Sequence, residues 1–114
     1  MKSMKHLNVQ VRLTIYAGKG VDEATFGKGI ATLLRGVDTY GSLNASAKNI
    51  KMAYSKAWRI VKETEAGFGF LLINRDGARG STLTAEGRKL VETYEVLEAE
   101  GTDQLAGRFK ELIK

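Results

Sequence analysis

Residues 7–16, LNVQVRLTIY, alternate without a break: Leu7, Val9, Val11, Leu13 and Ile15 fall on one side, Asn8, Gln10, Arg12, Thr14 and Tyr16 on the other. Period two is the mark of a half-buried strand, so a strand is predicted over 7–16, ended by AGKG. The period then lengthens. Ile30, Leu33, Leu34 and Val37 recur at the spacing of one helix face, predicting a helix from Lys28 to Tyr40 with Gly41 as its stop. Leu43, Ala47 and Ile50 mark a short helix over 44–50, capped by Ser42 or Asn44. Beyond the link Lys51-Met52-Ala53, a third helix is predicted over 54–65 from Tyr54, Ala57, Trp58 and Val61. Phe70–Asn74 and Ser81–Leu83 then read as two strands of a hairpin around RDGARG. Thr84 caps a helix whose stripe is Leu90, Val91, Tyr94 and Leu97. Gly101 is predicted to interrupt it, and Thr102 to cap a last helix with Leu105, Phe109, Leu112 and Ile113 on one face.

Strand, helix, helix, turn, helix, hairpin, helices is the order of a winged helix-turn-helix. The expected class is mainly α with a small β component. One domain is expected over 1–114: strand 7–16, three-helix unit 28–65, wing 70–83 and C-terminal helices 84–114. In such a unit the third helix enters the major groove and the hairpin reaches flanking backbone or minor groove.

Charge sharpens this. The net charge is +5, and it is uneven: residues 1–60 carry ten Lys/Arg against Asp22, Glu23 and Asp38, whereas residues 61–114 carry eight against ten acids. A basic half beside an acidic half suggests a polyanionic partner, although a solvated basic surface would look the same. Lys48, Lys51, Lys56 and Arg59 crowd the second and third helices, where no acid occurs until Glu63. The chain has no cysteine and one histidine, His6, so thiolate chemistry, disulfides and a clustered metal site have no donors. The glycine-rich GKG and AGFGF do not lead from a strand into a helix as a phosphate cradle must. No enzyme activity, cofactor or metal is expected. No apolar run spans a membrane and the basic start lacks a signal peptide's apolar core, so a cytoplasmic protein is the simplest reading.

The stretch TYGSLNASAKNIKMAYSKAWRIVKETE followed by TLTAEGRKLV resembles the DNA-binding domain of ModE-type (molybdate-responsive) regulators, which are related to the LysR type. Gly41, Ser42, Ala45, Ala47 and Lys48 match the family's small-residue helix. Met52, Tyr54, Ala57 and Trp58 match its recognition segment, and Leu83, Thr84, Gly87, Arg88 and Leu90 its post-wing helix. The resemblance covers about residues 7–98, and the pair AYSKAW and LTAEGRKL carries it. It implies sequence-specific binding of double-stranded DNA. Three departures stand out. Lys51 replaces the glycine of the turn, Ala53 replaces a serine cap worth about 1 kcal/mol, and the wing is poorer in glycine. Full-length molybdate sensors carry a separate oxyanion-binding domain. This chain, ending at Lys114, has no room for one, so molybdate sensing is not expected to carry over.

The residues expected to meet DNA follow from helix phase and this resemblance. Ser55, Lys56 and Arg59 lie on the outward side of the third helix, where arginine pairs bidentately with guanine, and Tyr54, at the helix start, could reach a phosphate or a thymine methyl. Asn44, Ser46 and Lys48 lie on the helix that crosses the backbone. Arg75 and Arg79 sit at the wing tip, suited to phosphate or a narrow minor groove. Tyr54 could equally close the core. Trp58 is assigned to the core, and Arg88 to an ion pair with Glu92. The stripe Leu90, Tyr94, Leu97, Leu105, Phe109 and Leu112 exceeds what one small domain buries, so a homodimer on a pseudo-palindromic site is expected. The alternatives are a protein-interaction module with the same fold, or a nucleic-acid binder without sequence preference.

Overall fold

Ile30, Leu33, Leu34 and Val37 are buried as their spacing requires. They make α1 (Lys28–Tyr40) the spine of the domain, ended by Gly41 in the left-handed region at φ 86°. In the computed structural model, which describes residues 2–19, 24–75 and 80–114, α1 follows β1 (Ile15–Tyr16) and β2 (Thr25–Phe26). It is followed by α2 (Leu43–Asn49), α3 (Tyr54–Phe68), β3 (Ile73–Arg75), β4 (Ser81–Leu83) and α4 (Ala85–Leu112). The two strand pairs are both antiparallel, Ile15 opposite Phe26 and Ile73 opposite Leu83.

Each helix start has a local cause. Ser42 caps α2, its hydroxyl accepting from the Ala45 N–H at 3.0 Å. Thr84 caps α4 in the same way, accepting from the Gly87 N–H at 2.9 Å while donating to the Leu71 carbonyl at 2.7 Å. Ala53, at the N-cap of α3, has no side chain for the task. Its backbone, φ −62° and ψ 139°, is already the extended form a cap needs. Ala53→Ser is therefore expected to stabilise the fold by about 1 kcal/mol. That would raise the melting temperature by roughly 4 °C or more, measurable by circular dichroism.

The turn between α2 and α3 keeps a left-handed residue at the position of the family's glycine. Lys51 takes φ 58° and is the one positive-φ residue other than glycine among the described residues. The Met52 N–H then bonds the Ala47 carbonyl at 2.8 Å. Close approach explains two glycines. A Cβ on Gly36 would strike the Ser46 side chain, and one on Gly87 would strike the Leu72 carbonyl oxygen. The second contact lets α4 lie against the start of the wing, so Leu83, Thr84 and Gly87 of the LTAEGR motif have structural roles.

The core joins α1, α2, α3, the wing and the first turns of α4 through Leu43, Ala47, Ala57, Val61, Leu72, Leu83 and Val91. Phe26 is fully buried and meets Tyr94 edge-on, ring centroids 5.6 Å apart. Tyr94 was expected at a dimer interface, but it is 1% exposed and belongs to this core. Its hydroxyl donates to Glu98 Oε2 at 2.8 Å. Burial, reinforced by that carboxylate, pushes the phenol up to about 12, so it remains a donor. Leu90 packs against the core as well and Phe109 is half-buried, which removes both from any fully open stripe.

The C-terminal region departs from expectation in one further way. Gly101 does not interrupt it: α4 runs unbroken for 28 residues. Thr102, expected as a cap, instead accepts a hydrogen bond from the Val11 N–H at 3.0 Å. The N-terminal segment explains both. Residues 7–14 are not a strand; only Ile15 and Tyr16 pair in a sheet. Yet Val9, Val11 and Leu13 are half-buried while Asn8, Gln10, Arg12 and Thr14 are exposed, so the alternation of an extended chain survives. The segment lies along α4, where a Cβ on Gly101 would sit 3.6 Å from Val11. Further out, Met4 and Leu7 share a cleft with Ile113. The alternating pattern found a helix to cover instead of a neighbouring strand. The first wing strand is also shorter than predicted, Ile73–Arg75, with Phe70 and Leu71 in the exposed approach to it.

Arginines clamp α1 to α4. Arg35 holds Glu95 through Nε at 3.0 Å and Nη2 at 2.6 Å, and reaches Asp38 at 3.1 Å. Arg88 pairs not with Glu92 but with Asp38, at 2.7 and 3.2 Å. The Arg88 guanidinium, hydrogen-bonded to it, holds the Asp38 carboxyl below the usual carboxylate range. Lys28 reaches Glu98 at 3.4 Å.

Candidate nucleic-acid interface

Three faces of α3 have three fates, and helical phase decides which. Ala57, Val61 and Thr64 are buried against α1 and β2. Trp58, Lys62 and Glu65, rotated by about 100°, face the wing. Ser55, Lys56, Arg59 and Glu63 are exposed. Tyr54, at the first position, is 44% exposed and so does not close the core.

The wing face is more than packing. Glu65 is 5% exposed, and its Oε2 accepts from the Leu72 N–H at 2.8 Å and the Ile73 N–H at 3.3 Å. Lys62 Nζ lies 2.8 Å from the other oxygen, Oε1. That oxygen has no well-aligned hydrogen bond, so the Lys62 contact is a charge pairing. The carboxylate thus ties the end of α3 to the start of β3. Trp58, assigned to the core from sequence, is only partly buried there. Its ring carries two cations, Arg75 with Cζ 3.3 Å from the centroid and Lys62 with Nζ at 4.5 Å.

On α2, Asn44 and Lys48 are exposed, whereas Ser46 is 1% exposed. Ser46 was expected at DNA. Its hydroxyl instead donates to the Leu33 carbonyl at 2.6 Å, in the close approach that Gly36 permits. Arg75 is exposed at the wing and Arg79 lies outside the described residues. The structure brings Asn44, Tyr54 and Arg75 together and leaves Lys48, Ser55, Lys56 and Arg59 exposed on α2 and α3. Ser42, Leu43, Asn44, Tyr54, Arg75 and Ser81 line a cleft of about 220 Å³ there, between α2, α3 and the wing. Sequence reasoning missed Glu65, although an acid one turn beyond the buried Val61 is a signal that could have found it. No periodic pattern links Trp58 to Arg75.

Two clusters of basic residues differ in their pairing. Lys28, Arg35 and Arg88 are neutralised by Glu98, Glu95 and Asp38 on the α1–α4 side. Lys48, Lys51, Lys56 and Arg59 pair with no carboxylate among the described residues. Four unpaired cations thus fall within residues 48–59, on α2, the turn and the first turns of α3. No group of three or more metal-ligating side chains occurs among the described residues. None of their helices is long and apolar enough to cross a membrane.

Residues 32–88, half of the chain, match the sequence model of a family described as bacterial regulatory helix-turn-helix protein, lysR family. The chain is similar to the protein in the CbnR_DBD–DNA complex, with 26% identity and a TM-score of 0.59 over 73% of this chain and 95% of that one. It is also similar to CbnR, a LysR family transcriptional regulator, with 27% identity and a TM-score of 0.56. That match covers 70% of this chain and 28% of CbnR. The BenM_DBD/benA site 1 DNA complex shares the fold, with 21% identity and a TM-score of 0.57 over 74% of this chain and 92% of that one. No curated protein sequence matches. These matches are LysR-type, and the ModE-type part of the resemblance gains no support from them.

Proposed function

The chain belongs to the LysR family of bacterial regulatory helix-turn-helix proteins, and on that premise we propose that it is a sequence-specific transcriptional regulator whose α2–α3 edge reads double-stranded DNA. The observation that carries this reading is the segregation of charge. Lys28, Arg35 and Arg88, on α1 and the start of α4, are spent on carboxylates, while Lys48, Lys51, Lys56 and Arg59 lie on the helices and turn that a helix-turn-helix presents to the duplex. Ser55, Lys56 and Arg59 enter the major groove, Tyr54 lies at the groove wall, and Asn44 and Lys48 meet the backbone. The wing arginines, Arg75 and Arg79, flank the site. The similar CbnR_DBD is itself recorded bound to DNA, which supports the same use of this surface. This is a binding role rather than an enzymatic one, exercised in the cytoplasm where the chromosome lies.

We further propose that the regulator is a homodimer. Leu97, Leu105 and Leu112, on one face of α4, are 46%, 50% and 66% exposed. This stripe remains open beside the part of α4 that the N-terminal segment covers. A two-fold pairing along it places two recognition helices on one duplex and predicts a pseudo-palindromic site.

Selection of bound fragments from a random duplex library at about 150 mM salt tests both statements. Enrichment of an inverted repeat is the expected result. A single half-site would leave the DNA reader standing without its dimer. Binding without enrichment would reduce the protein to a backbone binder, and no binding would remove the reading.

A further inference from the structure

The one tryptophan of the chain stands at the seam between α3 and the wing, where base reading has no use for it. The Cζ of Arg75 is 3.3 Å from its ring centroid, a separation that only a stacked guanidinium fits without a clash. The seam is fixed from below. Two turns along the same face, Glu65 bonds the N–H groups of Leu72 and Ile73, which begin the strand that carries Arg75. Arg75 also lines the cleft of about 220 Å³, together with the Tyr54 ring at the start of α3 and the polar side chains of Ser42, Asn44 and Ser81. No carboxylate is among its described lining residues.

Resting on the DNA-binding reading above, we infer that Trp58 is a positioning residue that holds the Arg75 guanidinium over this cleft, where it receives one backbone phosphate of the duplex. The chemistry follows from how a guanidinium stacks. The ring face takes up the flat side of the cation, and the N–H donors, all in the guanidinium plane, point outward and remain available. That is the presentation a phosphate accepts bidentately. An arginine on a narrow hairpin would otherwise sample many rotamers, and stacking removes most of that freedom before the duplex arrives. The cleft has the volume of about seven water molecules, enough for a phosphodiester group and its remaining hydration. Its neutral hydroxyl and amide groups suit an anion. Ser55, Lys56 and Arg59, assigned above to the groove, belong to the exposed face of α3 and not to the wing face.

The test uses the full chain and the DNA site obtained by selection, with affinity measured against salt concentration. Arg75→Ala is expected to lower the log–log salt slope by about 0.9 per chain, one phosphate's worth, and to weaken specific and random duplexes alike. Trp58→Leu should do the same although Arg75 is still present. Trp58→Phe, which keeps a ring, should restore most of the slope, and Trp58→Leu/Arg75→Ala should be no worse than Arg75→Ala. A normal slope in Trp58→Leu, or in Arg75→Ala, overturns the inference while leaving the DNA reading intact. Failure of the wild-type chain to bind any duplex removes both. Should Trp58→Leu not fold, the emission of Trp58 in the folded chains decides. Duplex should change it in the wild type and much less in Arg75→Ala, and an equal change in both overturns the inference.

Discussion

A glutamate at Leu97 or Leu105 is expected to leave the chain folded and to cost it tight binding to an inverted repeat. Both side chains are about half exposed in the single chain, so a charge there stays in water and the helical signal should not change. In a two-fold pairing along α4 the same charge would be buried against apolar side chains of the second copy. An unpaired charge in such a place costs several kcal/mol. The two recognition helices would then bind separately, and the gain from joining them, typically 10²- to 10⁴-fold, would vanish. Light scattering should show a dimer for the wild type and a monomer for the variant. Affinity for a single half-site should be nearly the same in both. An unchanged oligomeric state, or an unchanged preference for the full repeat, would sink the dimer along this stripe.

Not every apolar position of α4 can serve that purpose, and the reason shows where sequence reading stops. Periodicity reports which side chains lie on one face of a helix; it does not report what covers the face. Tyr94, Leu97 and Leu105 belong to one pattern in the sequence. In the fold Tyr94 faces Phe26 and the core, whereas Leu97 and Leu105 face water. The covering element, residues 7–14, was itself misread because its alternation is that of a strand. An extended segment alternates whether its neighbour is a strand or a helix, and here the neighbour is α4. Gly101 reads as a break because glycine weakens a helix by about 1 kcal/mol. Packing against Val11 and the unbroken ladder on either side outweigh that cost.

The centre of the chain was far more legible. The bounds of α1 match the periodicity residue for residue, and α2 and α3 differ only at their ends. Local signals agree there: short apolar spacing, a serine cap at Ser42, and a turn whose strain at Lys51 is contained in three residues. The contacts that escaped notice join residues far apart in sequence. Ser46 meets Leu33 and Gly36, Arg88 meets Asp38, and Trp58 meets Arg75. Ser46 could be placed on α2, but its turn toward α1 depends on Gly36, on another helix.

Arg59→Ala is expected to weaken binding to the selected site by about 1–3 kcal/mol, roughly 5- to 150-fold. Arg59 is exposed on the outward face of α3, one turn beyond Ser55 and Lys56, and pairs with no carboxylate among the described residues. Its removal should leave the melting temperature almost unchanged, since exposed substitutions away from such contacts usually fall within about 0.5 kcal/mol. Lys56→Ala supplies the contrast. A lysine meeting phosphate as a point charge contributes about equally on every sequence, and losing it should lower the salt slope by about 0.9 per chain. Arginine bidentate to a guanine edge contributes to one sequence, so Arg59→Ala should cost specific binding much more than random binding and should relax preference at one base pair. Fluorescence anisotropy on the selected site and on a scrambled duplex separates the cases. An equal loss on both would make Arg59 a backbone contact and move base recognition to Ser55, Tyr54 or the wing. No loss on either would mean that α3 does not enter the groove by this face. The charge segregated on the α2–α3 edge would then serve another partner.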